Sequence, residues 1–201
     1  MTARSSIAAV ILAAGASRRL GRPKQLVLCN GEPLLARAMR VAAESAIAPV
    51  IVVLGAGAAE IRAALDMKSA QIVLNPDWES GMASSIRAGL AAAEKYPGLD
   101  GVMLLACDQP RLTCEHLARM MAEFHRSNGQ AIVASVYGET PGVGETRGVP
   151  AIFPRRAFAS LQLLRGDKGA RSLLPGDDVV EVKFPGGELD IDTELDAAAM
   201  E

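Results

Sequence analysis

Cysteine is scarce in this chain of 201 residues, and the three present, Cys29, Cys107 and Cys114, form no C-x-x-C or Cys/His cluster. An odd, scattered set of thiols excludes a disulfide framework and a structural zinc site, and fits a reducing cytoplasm. Long hydrophobic runs are missing too: no apolar stretch approaches the roughly 20 residues that a membrane span requires. Charge of one sign is not in excess, since 21 Lys and Arg face 23 Asp and Glu for a formal net charge of −2. That balance excludes nucleic acid or an anionic membrane as a partner held by bulk charge. No G-x-S-x-G nucleophile elbow occurs. His116 and His125 both fall in a predicted helix, where a satisfied or exposed ring is the expectation. The chemistry left is one whose nucleophile is already anionic and needs only positioning and charge neutralisation.

Half of the residues are hydrophobic, enough for one sizeable core, and a single domain over 1–201 is expected. Strands are predicted at 7–13, 50–54, 70–74, 101–106, 131–137, 149–153 and 179–184, alternating with helices at 33–45, 58–65, 81–95, 113–127 and 158–164. This order predicts an α/β fold: a three-layer domain with a mainly parallel, Rossmann-like sheet and helices on both faces. The near-continuous apolar strands agree with a sheet covered on both sides. Arg4 followed by the run 7–14 has the outline of a signal peptide. The run is short and β-branched, and Arg18, Arg19, Arg22 and Lys24 follow it, so it reads as a buried first strand. The segment GETPGVGETRG (138–148) lacks periodicity and is expected to be a mobile surface loop.

In open α/β sheets ligands gather beyond the carboxyl ends of the strands. There the chain places LAAGASRRLGRPKQ (12–25), NPDWESGMASS (75–85), CDQPRL (107–112) and ELDIDTELD (188–196). The first segment fits neither the Rossmann turn G-x-G-x-x-G nor the Walker loop G-x-x-x-x-G-K-[ST]. What remains is a small-residue turn whose backbone N–H groups can approach an anion, with Arg19 and Lys24 to neutralise its charge. A triphosphate suits it; a solvated basic loop is the plain alternative. Asp108 directly follows an apolar run, an unfavourable place for an unpaired carboxylate, and Asp190 and Asp192 stand similarly near the other end of the chain. Two distant aspartates converging on a triphosphate suit Mg²⁺, while a helix N-cap is the alternative role for Asp108 and for Asp192.

The opening loop resembles the L-A-[AG]-G-x-S-x-R-M-G-x-x-K signature of molybdenum cofactor nucleotidyltransferases. It matches at Gly15, Ser17, Arg19, Gly21 and Lys24, with Leu20 in place of Met. The likeness continues through NPDWESGMASSIRAGL (75–90), ACDQP (106–110), RGVPAIF (147–153), RGDKGAR (165–171) and LDIDTELD (189–196). LAAG rather than LAGG, together with RGDKGAR, is similar to the cytidylyltransferase branch of these MobA-like/MocA-like enzymes, which joins CTP to molybdopterin.

That resemblance implies a fold of the nucleotide-diphospho-sugar transferase type, with about 7–110 binding the nucleotide and about 111–201 the acceptor. It implies that Leu12, Ala13, Ala14 and Gly15 cradle the nucleotide, with Ser17 in the same loop. Arg19 and Lys24 would hold its phosphates and share catalysis with Asp108. Asn75, Gly81 and Ser84 would lie beside base and ribose. Asp108 and Asp192 would ligate Mg²⁺, with Asp190 the alternative second ligand. Arg165, Asp167, Lys168 and Arg171 would clamp the acceptor, a turn opening a helix being the other role for that segment. Val149 departs from the His that relatives often carry, which leaves the acceptor open. Two rival functions stand beside this one. One is a same-fold transferase using another base or acceptor, by guanylyl transfer or on a sugar phosphate. The other is a non-catalytic accessory protein that hands the finished cofactor to a client molybdoenzyme.

Overall fold

The computed structural model describes residues 6–140, 144–176, 178–198 and 200. A small hairpin of β2 (Leu28–Cys29) and β3 (Glu32–Pro33) follows β1 (Ile7–Ala13) and leads into α1 (Leu34–Glu44). Then come β4 (Val50–Leu54), α2 (Ala58–Ala64), β5 (Gln71–Leu74), α3 (Met82–Ala93), β6 (Gly101–Ala106) and α4 (Cys114–Arg126). The rest is β7 (Ile132–Thr140), β8 (Gly144–Pro154), α5 (Phe158–Gln162), β9 (Val179–Lys183) and α6 (Glu194–Ala198). Seven strands make one sheet in the order β5-β4-β1-β6-β8-β7-β9. Only β8 runs against its neighbours; the pairings β1–β4, β1–β6, β4–β5 and β7–β9 are parallel.

β1 is apolar throughout because both of its faces are covered. Ile7, Ala9, Ile11 and Ala13 enter one core with Leu35 of α1, Ile61 of α2 and Phe124 of α4. Ala8 and Val10 enter the other, with Ile86 and Leu90 of α3 and Leu161 of α5. Period-two alternation thus divides a continuous apolar run between two layers of helices, and each fully buried Leu, Ile or Phe contributes roughly 1.5–3 kcal/mol. α3 lies close on the sheet because residue 89 is glycine: a Cβ there would come 2.3 Å from Val10 Cγ1 and 3.0 Å from Val53 Cγ2. The parallel register sets Leu12 opposite Ala106, so the loops beginning at Ala14 and Cys107 leave the sheet side by side. A third cluster, Leu20, Val27, Cys29 and Leu34 with Ile191 and Ala197, binds the C-terminal segment onto the first loop.

Several sequence expectations change. Residues 138–140 and 144–148 are strand rather than loop, with Tyr137 opposite Thr146 and Glu139 opposite Glu145; residues 141–143 lie outside the described residues. Two register shifts, at Ala134/Ser135 and Tyr137/Glu139, break the alternation that would have marked these strands. Helices predicted at 113–127 and 158–164 span Cys114–Arg126 and Phe158–Gln162, and the β2–β3 hairpin and α6 were not foreseen. His116 is a buried core residue, only half satisfied: its Nε2 is bonded, and its Nδ1 has no partner among the described residues. Ser135 has one hydroxyl proton, which goes to Pro150 O at 2.7 Å, so His116 Nε2 donates to Ser135 Oγ at 2.8 Å. Burial pushes its imidazole down to about 4. Cys29, Cys107 and Cys114 are free thiols. Among the described residues no helix is long and apolar enough to cross a membrane.

Candidate functional site

The loop after β1 is folded back by Ser17, whose φ is +51°. Its carbonyl accepts the N–H groups of Leu20 and Gly21, both at 3.0 Å, and its hydroxyl accepts the Lys24 N–H at 3.1 Å. Ser17 therefore holds the loop together and returns Lys24 to the sheet edge, while Leu20 anchors in the apolar cluster with Ile191. From the opposite end of the chain, the Ile191 N–H donates to Asp108 O at 3.2 Å, fixing Asp192 beside the end of β6.

These contacts bring three predicted groups to one point. Lys24 Nζ donates to Asp108 Oδ2 and, at 3.1 Å, to Asp192 Oδ1. Arg19 Nη2 donates to the other Asp192 oxygen at 2.5 Å. Burial alone would lower the Lys24 ammonium, but the Asp108 carboxylate, its hydrogen bond and Asp192 outweigh that and hold it above its ordinary range. Burial, then repulsion from Asp108 and Asp192, pushes the Asp190 carboxyl up to about 7 against the pull of Lys24. Neither Asp108 nor Asp192 is a helix cap. Thr113 caps α4 by accepting the His116 N–H at 3.2 Å, and Thr193 and Asp196 cap α6 reciprocally, at 3.3 and 2.8 Å.

The donor chemistry fits a divalent metal. Asp108 and Asp192 place hard oxygens on either side of one cationic position, which the Lys24 ammonium fills in this structure. Mg²⁺ takes one or two carboxylates and completes its shell with phosphate and water. Among the described residues no group of three or more His, Cys, Asp or Glu gathers to hold a metal by itself.

A cleft of about 480 Å³, within the range of small-molecule sites, is lined by Lys24 and Asp108 of this group but not by Asp192. Of the predicted residues, Leu12, Ala14, Gly15, Lys24, Gly81, Asp108 and Asp167 line it. Arg18 lines it too, whereas Arg19 does not and instead lies exposed against Asp192. Ala13 is in the core. Asn75 is 4% exposed and spends its carboxamide internally, donating to Ser84 Oγ at 2.8 Å and Ser85 Oγ at 3.0 Å and accepting the Asp77 N–H at 3.0 Å. The Ser84 hydroxyl turns back to Gly81 O at 2.8 Å. Asn75 and Ser84 thus shape the loop after β5, and Ser85 is the hydroxyl at the cleft wall.

The proposed acceptor clamp is only partly assembled. Arg165 Nη1 donates to Gln162 O and Leu164 O, both at 2.8 Å, closing the end of α5. Lys168 and Arg171 are exposed, and of the four residues only Asp167 faces the cleft. Sequence reasoning also passed over Trp78, Glu79, Met82 and Ser85, which line the cleft beside Gly81; their position directly after β5 was the available signal.

Gly81 joins the two halves of this wall. It adopts φ +103°, and a Cβ on it would come 2.4–2.7 Å from the backbone of Gly166 and Asp167. The Ala83 N–H donates to Gly166 O at 3.0 Å across the same contact. Gly81→Ala is therefore expected to cost about 3 kcal/mol, from a strained backbone and two loops forced apart. Urea unfolding checks this, and a cost below about 1 kcal/mol would mean that the loops part freely.

The comparisons follow the same outline. The model of the MobA-like NTP transferase domain matches residues 9–181. The chain is 36% identical over 172 residues to the nicotine blue oxidoreductase of Paenarthrobacter nicotinovorans, covering 84% of this chain and 81% of that protein. It is 32% identical over 197 residues to the purine catabolism protein PucB of Bacillus subtilis (strain 168), covering 92% and 90%. With the molybdenum cofactor guanylyltransferase of Rhizobium leguminosarum bv. trifolii (strain WSM2304) it shares 29% over 185 residues, covering 90% and 81%. The crystal structure of Rv0371c from Mycobacterium tuberculosis H37Rv superposes with a TM-score of 0.83 at 33% identity, over 100% of this chain and 98% of that one. Its complex with manganese gives 0.78 at 30% identity, over 98% of both chains. With the domain model matching residues 9–181 and these identities over most of both chains, this chain belongs to the MobA-like NTP transferase family.

Proposed function

We propose that this nucleotidyltransferase moves CMP from CTP to the phosphate of molybdopterin or a related phosphorylated acceptor, in an Mg²⁺-dependent reaction in the cytoplasm. The observation that carries the reading is the junction of Lys24 and Asp108, which line the cleft, with Asp192, which pairs with Lys24 from outside that lining. It supplies a cation for phosphate oxygens and two carboxylates for a metal at one place. Leu12, Trp78 and Met82 give the cleft an apolar wall suited to flat rings. Residues up to about 110 would take the nucleotide and those beyond it the acceptor, across Val149 and Asp167.

In the reaction an oxygen of the acceptor phosphate forms a new bond to the α-phosphorus of CTP in line with the bond to the β-phosphate. That α–β anhydride bond breaks, and its electron pair leaves on pyrophosphate. The attacking oxygen is already anionic, so no side chain needs to remove a proton. The amides of loop 14–16 and the Lys24 ammonium hold the phosphates and meet the charge that builds on the leaving oxygens. Asp108 and Asp192 would hold Mg²⁺, which supplies Lewis-acid neutralisation of the polyphosphate.

LAAG supports CTP, by its likeness to the cytidylyl branch, while a relative named as a guanylyltransferase makes GTP the competitor. Pyrophosphate release measured with each nucleoside triphosphate, with and without molybdopterin, decides between them. CTP is expected to exceed GTP at least roughly tenfold in kcat/KM, because a wrong base leaves buried polar groups unpaired. Equal turnover removes the cytidylyl assignment. Release with another phosphorylated acceptor in place of molybdopterin changes the acceptor, and no release with any pair favours an accessory protein that delivers cofactor to a client molybdoenzyme. An oxidoreductase role, which one relative's name suggests, has less support, because no G-x-G-x-x-G turn follows β1.

A further inference from the structure

Gln25 is 1% exposed and belongs to the short 3-10 turn Lys24–Leu26, directly after the lysine of the site. Its Nε2 donates to Ala13 O at 2.6 Å and to Gly15 O at 3.2 Å. Between them, Ala14 O accepts the Ala56 N–H at 3.1 Å. Three successive carbonyls of the cleft loop are thus held by fixed donors. The Gln25 Oε1 has no hydrogen-bond partner among the described residues. A buried unpaired acceptor is unfavourable, and rotating the carboxamide to relieve it would set that oxygen against two carbonyls. The side chain is oriented by the loop, and the loop by the side chain.

A trans peptide is planar, with the N–H of the following residue opposite the carbonyl. Turning the Ala13 and Gly15 carbonyls onto Gln25 therefore aims the N–H groups of Ala14 and Ala16 the other way, and Ala14, Gly15 and Ala16 line the cleft. We propose, resting on the nucleotide-binding reading of this cleft, that Gln25 is a positioning residue. Its buried carboxamide sets the two amides that receive the triphosphate, in register with the Lys24 ammonium. Gln25 touches neither substrate nor metal and acts through the loop.

The test is titration calorimetry of the full chain with Mg·CTP, Mg·tripolyphosphate and cytidine, alongside thermal melting without ligand. The variants are Gln25→Met, which keeps the length and loses both donors, and Gln25→Glu, which keeps the shape and opposes the carbonyls. Affinity for Mg·CTP and for Mg·tripolyphosphate is expected to fall roughly ten- to a hundredfold, about tenfold per amide no longer presented. Cytidine, which makes no phosphate contact, should bind within about threefold of wild type. Cooperatively melting variants that keep Mg·CTP affinity within about twofold overturn the inference, as does an equal loss for cytidine and CTP. Failure of both variants to fold also overturns it, by making the residue a requirement of the fold alone. Wild-type protein that binds none of the nucleoside triphosphates, with Mg²⁺ present, would instead sink the nucleotide-binding reading itself.

Discussion

Asp108→Asn is expected to lower kcat/KM for nucleotidyl transfer by roughly three orders of magnitude and to flatten the Mg²⁺ dependence proposed for it, in a protein that still folds. The amide keeps the shape of the carboxyl but gives a hard cation a poor ligand. It also leaves the Lys24 ammonium, now paired with Asp108 and Asp192, with half of its counter-charge. Losing that pair costs stability, since both side chains are largely buried, at 19% and 14% exposure. Part of the cost is offset, because Asp108 also repels Asp190 and Asp192 and helps push Asp190 up to about 7. Asp192→Asn should move activity in the same direction, by less, with a smaller loss of melting temperature, since its pairs with Lys24 and Arg19 are more exposed. The reciprocal cap of α6 belongs to Thr193 and Asp196, so the helix does not depend on Asp192. Pyrophosphate release across an Mg²⁺ titration, with a melt of each variant, makes the comparison. An Asp108→Asn protein within about tenfold of wild type would take this carboxylate out of the site.

The sheet was legible in the sequence because each central strand is a run of small and branched apolar residues, and β1 shows why: its alternate positions feed two separate cores. The four strand-end segments were legible for the same reason, since a parallel sheet must deliver them to one edge. What could not be read was which way each side chain turns once there. Asn75 and Ser84 sit in the right loop, yet they satisfy its backbone and each other, a buried polar network that spacing does not reveal. Arg18 and Arg19 are neighbours in a turn tightened by Ser17, and a one-residue difference decides that Arg18 faces the cleft while Arg19 meets Asp192. The partnership of Leu20 with Ile191 joins opposite ends of the chain, so no local pattern announces it. The β7–β8 pairing escaped because register shifts erase the period of two.

Lys24→Met should lower both kcat and kcat/KM by roughly two to three orders of magnitude, because the ammonium matters most when charge moves onto the departing pyrophosphate. In the resting protein it already stands between two carboxylates, so on the proposed function a triphosphate with its metal would draw it off Asp108. A group that changes partners in this way contributes more to the transition state than to the bound ground state. The three arginines of the loop give the scale for that claim. Arg18 lines the cleft, and Arg18→Ala is expected to raise KM for CTP with a modest effect on kcat. Arg19 lies 72% exposed against Asp192, where an ion pair contributes only about 0–1 kcal/mol of stability. Arg19→Ala should therefore leave the melting temperature alone and reduce turnover only by loosening Asp192. Arg22 pairs with Glu194 at 2.8 Å on the surface, and Arg22→Ala should be close to neutral. Steady-state kinetics on the four variants with CTP varied, at two ionic strengths, separates these roles. A graded series led by Lys24, with its loss insensitive to salt, fits a directed contact. Equal losses at all four positions that shrink together as salt rises would show a diffuse basic patch, and the transition-state role of Lys24 would have to be given up.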